Sequence, residues 1–123
     1  FRQCPDLAPA VMAACAFLPA EAVMTGLERL QIKESDRLRA MQEELARIGC
    51  MLLSDRSGKW HVVPGKACKK SILFNAHDDH RIAMAMVPSV FKEFGYVIDN
   101  ESVVEKSYPG FWDDLRHTGF IVK

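Results

Sequence analysis

The 123-residue sequence has no net charge: 16 Lys and Arg stand against 16 Asp and Glu. That balance argues against a general nucleic-acid or membrane-surface binder, whose affinity rests on excess basic charge. No apolar run approaches the ~20 residues that a membrane span needs, and the first residues show no signal-peptide pattern. No two of the four cysteines, Cys4, Cys15, Cys50 and Cys68, stand at a Cys-x-x-Cys spacing, which speaks against zinc and dithiol redox sites. Cys15 lies in an Ala-rich apolar stretch and reads as a small core residue. All four thiols are expected to be reduced, in a cytoplasmic protein. An initiator Met is lacking as well, since the sequence begins at Phe1; a fragment or a processed product is expected.

What is present is globular in character. Hydrophobic residues make up 49% and charged residues 26% of a length that suits one domain with a real core. Residues 5–18 are almost wholly apolar after Asp6 and read as a buried helix stopped by Pro19. Residues 22–32 alternate and should hold a strand entered by a turn at Thr25-Gly26. Ser35 reads as the N-cap of a helix through Leu38, Met41, Leu45 and Ile48, with a Glu43–Arg47 pair and Gly49 at its end. Residues 50–53 and 60–63 read as strands joined by a polar turn at 55–58. A helix capped by Asp79 runs through Ile82, Met86 and Val90 towards Gly95, with Pro88 expected to kink or break it after two turns. Residues 96–99 read as a strand, Pro109 as the first position of a last helix ended by Gly119, and residues 120–122 as a closing strand. Residues 5–63 thus read α-β-α-β-β and residues 72–122 β-α-β-α-β, a degenerate repeat of one unit in an α/β or α+β fold. A chain opening on a buried helix is expected to lack the strand before it.

The most informative local feature is electrostatic. Helix N-termini favour acidic side chains, yet Arg37 and Arg81 each fall in the first turn of an expected helix. Two compensations are open: the neighbouring Asp36 and Asp79, or an anionic ligand, since arginine at a helix start suits phosphate or carboxylate. Lys106, in a loop between a strand and a helix, reads by itself as solvated surface. His77-Asp78-Asp79-His80 offers ligand types for zinc or manganese. Consecutive residues at a helix start diverge, however, and no metal is expected. His61 and His117 read as structural, and Lys66, Lys69 and Lys70 as a solvated loop.

Four segments then resemble, in order and spacing, the 5-enolpyruvylshikimate-3-phosphate synthase family. Lys33-Glu34-Ser35-Asp36-Arg37-Leu38 resembles its Lys-Glu-Ser/Thr-Asp-Arg signature. Cys4-Pro5-Asp6-Leu7-Ala8-Pro9-Ala10 resembles its Pro-Asp helix start, Asp79-His80-Arg81-Ile82-Ala83-Met84 its Asp-His-Arg-x-Ala-Met motif, and Lys106-Ser107-Tyr108-Pro109-Gly110-Phe111 its C-terminal Lys-Ser/Thr-Tyr/Phe-Pro segment. The resemblance implies a two-domain enolpyruvyl transferase built from βαβαββ repeats, with the active site between the domains. Of that fold this chain would supply about two of the three units of the C-terminal domain, units 1–70 and 71–123, and it would need the missing N-terminal domain for activity.

The resemblance implies a transferase of aromatic amino acid biosynthesis. It would move the carboxyvinyl group of phosphoenolpyruvate to the 5-hydroxyl of shikimate 3-phosphate and release phosphate, with no cofactor and no metal. Glyphosate is that family's inhibitor. By the matching motifs, Asp6 would hold shikimate 3-phosphate and serve as base, although by itself it reads as an N-cap. Glu34 would be the second acid/base, needing desolvation or substrate charge to hold a proton between Lys33 and Arg37. Lys33 would contact shikimate 3-phosphate, Arg37 and Arg81 would clamp the phosphoenolpyruvate carboxylate, and Lys106 would meet its phosphate. His80 would sit at the rim, and Asp79 would cap and orient. Arg29 stands where some family members carry a substrate-contacting Asn, and that contact is not carried over. The rival readings are the UDP-N-acetylglucosamine enolpyruvyl transferase of the same fold and a non-catalytic α/β module.

Overall fold

A computed structural model describes residues 1–66, 71–92 and 96–123; Cys68, Lys69, Lys70 and Gly95 lie outside the described residues. The chain opens with a 3-10 turn, Pro5–Leu7, that runs into helix α1 (Ala8–Phe17). Strand β1 (Ala22–Met24), a 3-10 segment (Glu28–Ile32), helix α2 (Arg37–Arg47) and strands β2 (Met51–Ser54) and β3 (Trp60–Val63) complete the first half. The second half runs through β4 (Ile72–Phe74), α3 (His80–Met86), a 3-10 segment (Val87–Lys92), β5 (Tyr96–Ile98), a 3-10 segment (Glu101–Lys106) and α4 (Phe111–His117). The mixed α+β class expected from the sequence is therefore observed.

The strands form two small sheets. In the first, β3 lies between β1 and β2 and is antiparallel to both. In the second, β4 and β5 pair in parallel, with α3 in the crossover that a parallel pair requires. Helices α1, α2 and α3 pack on one another and enclose Met12, Leu38, Met41, Leu45, Leu52, Val62, Phe74, Ile82 and Met86 in one core. A smaller cluster of Ala76, Ala83, Val103 and Val104 joins α3 to the C-terminal helix through Phe111 and Trp112.

Several local expectations need correction. The strand at 22–24 precedes the Thr25-Gly26 turn rather than following it, and 28–32 is 3-10 helix with Ile32 facing solvent; alternation there does not mark a buried face. Pro109 stands two residues ahead of α4, whose N-cap is Gly110. No strand forms at 120–122. Instead the Phe120 N–H bonds the Leu115 carbonyl and Arg116 Nε reaches the Val122 carbonyl, folding the tail back onto the end of α4. Pro88 acts as expected: α3 stops at Met86 and the chain continues as 3-10 helix, because proline lacks the N–H of the next helical bond. Gly49 ends α2 at φ +79°, and a Cβ on Gly65 would lie 1.9 Å from the Gly49 carbonyl oxygen. Two glycines thus let the chain after β3 cross the end of α2.

Among the described residues Cys4, Cys15 and Cys50 are free. Burial, with Cys15 close by, pushes the Cys50 thiol up to about 11, so it stays protonated and unreactive at neutral pH. Leu45 is fully buried between α2 and the sheet side of the core. Leu45→Ala should cost ~2–5 kcal/mol of folding stability, read as a lower denaturation midpoint with an unchanged denaturant slope.

Candidate functional site

The site is built on the starts of α2 and α3. Asp36, not Ser35, caps α2: its Oδ1 accepts from the Arg39 backbone N–H at 3.2 Å. Asp79 caps α3, accepting from the Arg81 N–H at 2.9 Å. Two successive left-handed residues, His77 and Asp78, both at φ 52°, lead into that cap. They are tied down by a His77–Glu44 bond of 2.9 Å, a bond from the His77 N–H to Asn75 Oδ1 of 2.6 Å and one from Asn100 Nδ2 to Asp78 Oδ1 of 2.6 Å. Such bonds offset the cost of that backbone conformation.

Between the two helix starts lies a buried guanidinium. Arg37 is 1% exposed and Asp79 0%. Arg37 Nε donates to Asp79 Oδ2 at 2.7 Å and Nη2 to Asp79 Oδ1 at 3.1 Å, the paired geometry that makes such contacts strong. The outer edge of the same group meets two partly open carboxylates: Nη1 donates to Asp6 Oδ1 at 2.8 Å, and Nη2 to Glu34 Oε2 at 2.6 Å. Lys33 Nζ reaches Asp6 Oδ1 at 3.1 Å. Five residues expected at the site from sequence, Asp6, Lys33, Glu34, Arg37 and Asp79, are thus joined in one network. Arg81 joins it electrostatically, because its charge is felt at Asp6. Its Nε is buried and has no hydrogen-bond partner among the described residues. His80 and Lys106 take no part in the network's hydrogen bonds among the described residues, and Lys106 is exposed at the end of its 3-10 segment.

The charges follow from these contacts. Burial alone would raise the Asp79 carboxyl; hydrogen bonds from Arg37 and Ser35, the Arg81 N–H and the charge of Arg37 outweigh it and hold the group below its ordinary value. Asp6 is lowered in the same way: a burial penalty is outweighed by the bond to Lys33 and the charges of Lys33, Arg37 and Arg81. For Arg37, burial is outweighed by Asp79, Glu34 and Asp6, and the guanidinium is held above its ordinary value.

A second polar cluster lies about two turns further along α2, at Glu44, and was missed by sequence reasoning. Glu44 is fully buried and accepts from the Asn75 N–H, from Arg47 and from His77. Glu43 pairs with Arg39 at 2.9 Å, so the Glu43–Arg47 pair expected from spacing is replaced by Arg39–Glu43 and Glu44–Arg47. Glu43, Glu44 and His77 offer metal-ligand atoms within 4.8 Å of one another. Each carboxylate already has an arginine, however, and the cluster is complete as an ion-pair network. The lone signal available in the sequence was a glutamate on the apolar stripe of α2. The run 77–80 diverges as expected, to Glu44, Asn100 and Arg37 for its first three members. No helix among the described residues is long and apolar enough to cross a membrane.

Comparison with known proteins identifies the family. A family model described as EPSP synthase (3-phosphoshikimate 1-carboxyvinyltransferase) matches residues 1–115. The 3-phosphoshikimate 1-carboxyvinyltransferase of Bacteroides fragilis is 38% identical over 125 residues, taking in 100% of this chain and 30% of that protein. The protein of the same name from Clostridium kluyveri is 40% identical over 95% of this chain and 27% of its own length. A solved EPSP synthase structure from Acinetobacter baumannii superposes with a TM-score of 0.71 at 27% identity, covering 98% of this chain and 28% of that one. The fold is that of the enolpyruvyl transferases. Within that class, the chain belongs to the EPSP synthase family, and it spans about 30% of the length of the curated relatives it matches.

Asp79→Asn should destabilise the protein by ~3–5 kcal/mol, because it leaves Arg37 buried beside a neutral group. The pH dependence has a definite sign. A carboxyl held low in the fold contributes fully above its unfolded value near 3.8 and loses that contribution as pH falls through its folded value. Chemical denaturation at successive pH values should therefore show wild type losing stability below about pH 4, with a shallower acid limb in Asp79→Asn.

Proposed function

We propose that the protein containing this chain transfers the carboxyvinyl group of phosphoenolpyruvate to the 5-hydroxyl of shikimate 3-phosphate and releases phosphate. In this reading residues 1–70 and 71–123 are two repeat units of the C-terminal domain of a two-domain cytoplasmic enzyme. The other domain supplies the facing wall of the site. The observation that carries the reading is the convergence of two acid/base candidates, Asp6 and Glu34, on one cation, Arg37, near Arg81, whose Nε has no partner among the described residues. Family membership across nearly the whole chain supports it.

The chemistry requires the 5-hydroxyl oxygen to add to the enol carbon while the methylene carbon takes up a proton. Phosphate then leaves, and the new methyl group gives a proton back. Asp6 is assigned as base for the hydroxyl and Glu34 as the group that moves the proton at carbon. Both are 43–50% exposed, open to a substrate on the side away from Asp79. In the present state Asp6 is a weak base, since Lys33 and Arg37 hold its proton affinity down. An incoming anion that draws on the same cations restores it. Four of the five N–H groups of Arg37 are already engaged, so a carboxylate binds Arg81 first and gains Arg37 by exchange with Glu34 or Asp6. Lys33 faces shikimate 3-phosphate, Lys106 the phosphate of phosphoenolpyruvate, and His80 the rim.

The deciding measurement is phosphate release by the full-length protein. Phosphoenolpyruvate should yield phosphate only when shikimate 3-phosphate is present; turnover with UDP-N-acetylglucosamine instead, or with neither, overturns the assignment. Glu34→Gln should lower kcat by on the order of 10²–10⁴-fold with a much smaller change in substrate dissociation constants. Arg81→Ala should raise KM for phosphoenolpyruvate about tenfold or more, and a wild-type KM excludes the clamp.

A further inference from the structure

We propose that Ser35 is a positioning residue of this site, acting through Asp79 on Arg37; the kinetic part of the inference rests on the reaction assigned above. Its position in the sequence suggests a helix cap, but Asp36 performs that task. The Ser35 hydroxyl instead donates to Asp79 Oδ2 at 2.8 Å, across 44 residues of sequence. A carboxylate has about four acceptor sites. At Asp79 the four donors are Ser35 Oγ and Arg37 Nε on Oδ2, and Arg37 Nη2 and the Arg81 N–H on Oδ1. Three of these come from elements that the helix starts hold in place, and they fix the plane of the carboxylate. The carboxylate in turn fixes the plane of the guanidinium, whose outer edge presents Nη1 to Asp6 and Nη2 to Glu34.

Ser35 is the member of this chain of contacts that a substitution can remove without leaving a buried charge alone. It is half-buried and lines a cavity of about 440 Å³ beside Asn75 and His77. In Ser35→Ala a water from that side can fill the vacated acceptor site, so the fold survives. A water, unlike a tethered hydroxyl, does not hold the carboxylate in one plane. The consequence is a guanidinium that tilts, carrying both acid/base groups out of register with the substrate.

The test compares Ser35→Ala, Ser35→Val and Ser35→Thr in the full-length protein, since Thr keeps the hydroxyl and Val keeps its shape without it. Ala and Val should each lower kcat/KM for phosphoenolpyruvate about tenfold, and Thr should stay within about twofold of wild type. Independently of turnover, the Arg37 Nε–H signal in spectra of ¹⁵N-arginine-labelled protein should exchange slowly in wild type and Thr, and faster in Ala and Val. Normal kinetics in Ala, or a Thr variant as impaired as Ala, overturns the positioning role. So does faster exchange without a kinetic loss. If no substrate pair is turned over, the reaction assignment fails, and the exchange pattern alone then decides whether Ser35 orders Arg37.

Discussion

Everything at this site depends on one buried ion pair, Arg37 with Asp79. Two charges withdrawn from water usually lose more in solvation than they recover from each other. They persist here because, among the described residues, the pair itself is well matched: Asp79 has four donors, and Arg37 meets three carboxylates. The pair joins the starts of α2 and α3 and leaves the working edge of the guanidinium facing the more open Asp6 and Glu34. Without it the two helix starts have no common anchor, and the carboxylates have no common reference point.

A site assembled in this way is electrically self-contained before any substrate arrives. Lys33, Arg37 and Arg81 are balanced by Asp6, Glu34 and Asp79 within a few contacts. Binding of an anionic substrate, as proposed above, would therefore be an exchange of internal partners for external ones. Its net strength is set by the difference between two sets of charge-assisted bonds rather than by bare attraction. In the proposed reaction the same exchange would change the proton affinity of Asp6, linking occupancy to acid/base readiness through the cations they share.

The helices and strands β2 and β3 were legible in sequence because apolar spacing and glycine stops record them directly. The cluster was legible too, since Arg37 and Arg81 stand where a helix start disfavours cations, and the motif resemblance named Asp6, Lys33 and Glu34. What could not be read locally was decided at long range. Ser35 and Asp36 are both good caps by type, and only the position of Asp79, far along the chain, takes Ser35 away. Residues 120–122 have strand-forming side chains, but a strand exists only where an edge receives it, and the tail bonds α4 instead. Spacing rules paired Glu43 with Arg47 and passed over Glu44, whose burial Asn75 and His77 make tolerable.

The Arg37–Asp79 bond also crosses the boundary between the two halves of the chain, from the first helix-strand group to the second. If the second half opens alone, Arg37 loses its most buried partner and keeps only the more open Asp6 and Glu34; if the first opens, Asp79 loses its guanidinium. Partial unfolding is thus penalised from either side, and the two halves form a single cooperative unit. Backbone amides at the starts of α2 and α3 should accordingly share one opening free energy, although among the described residues no strand pairing joins the two sheets.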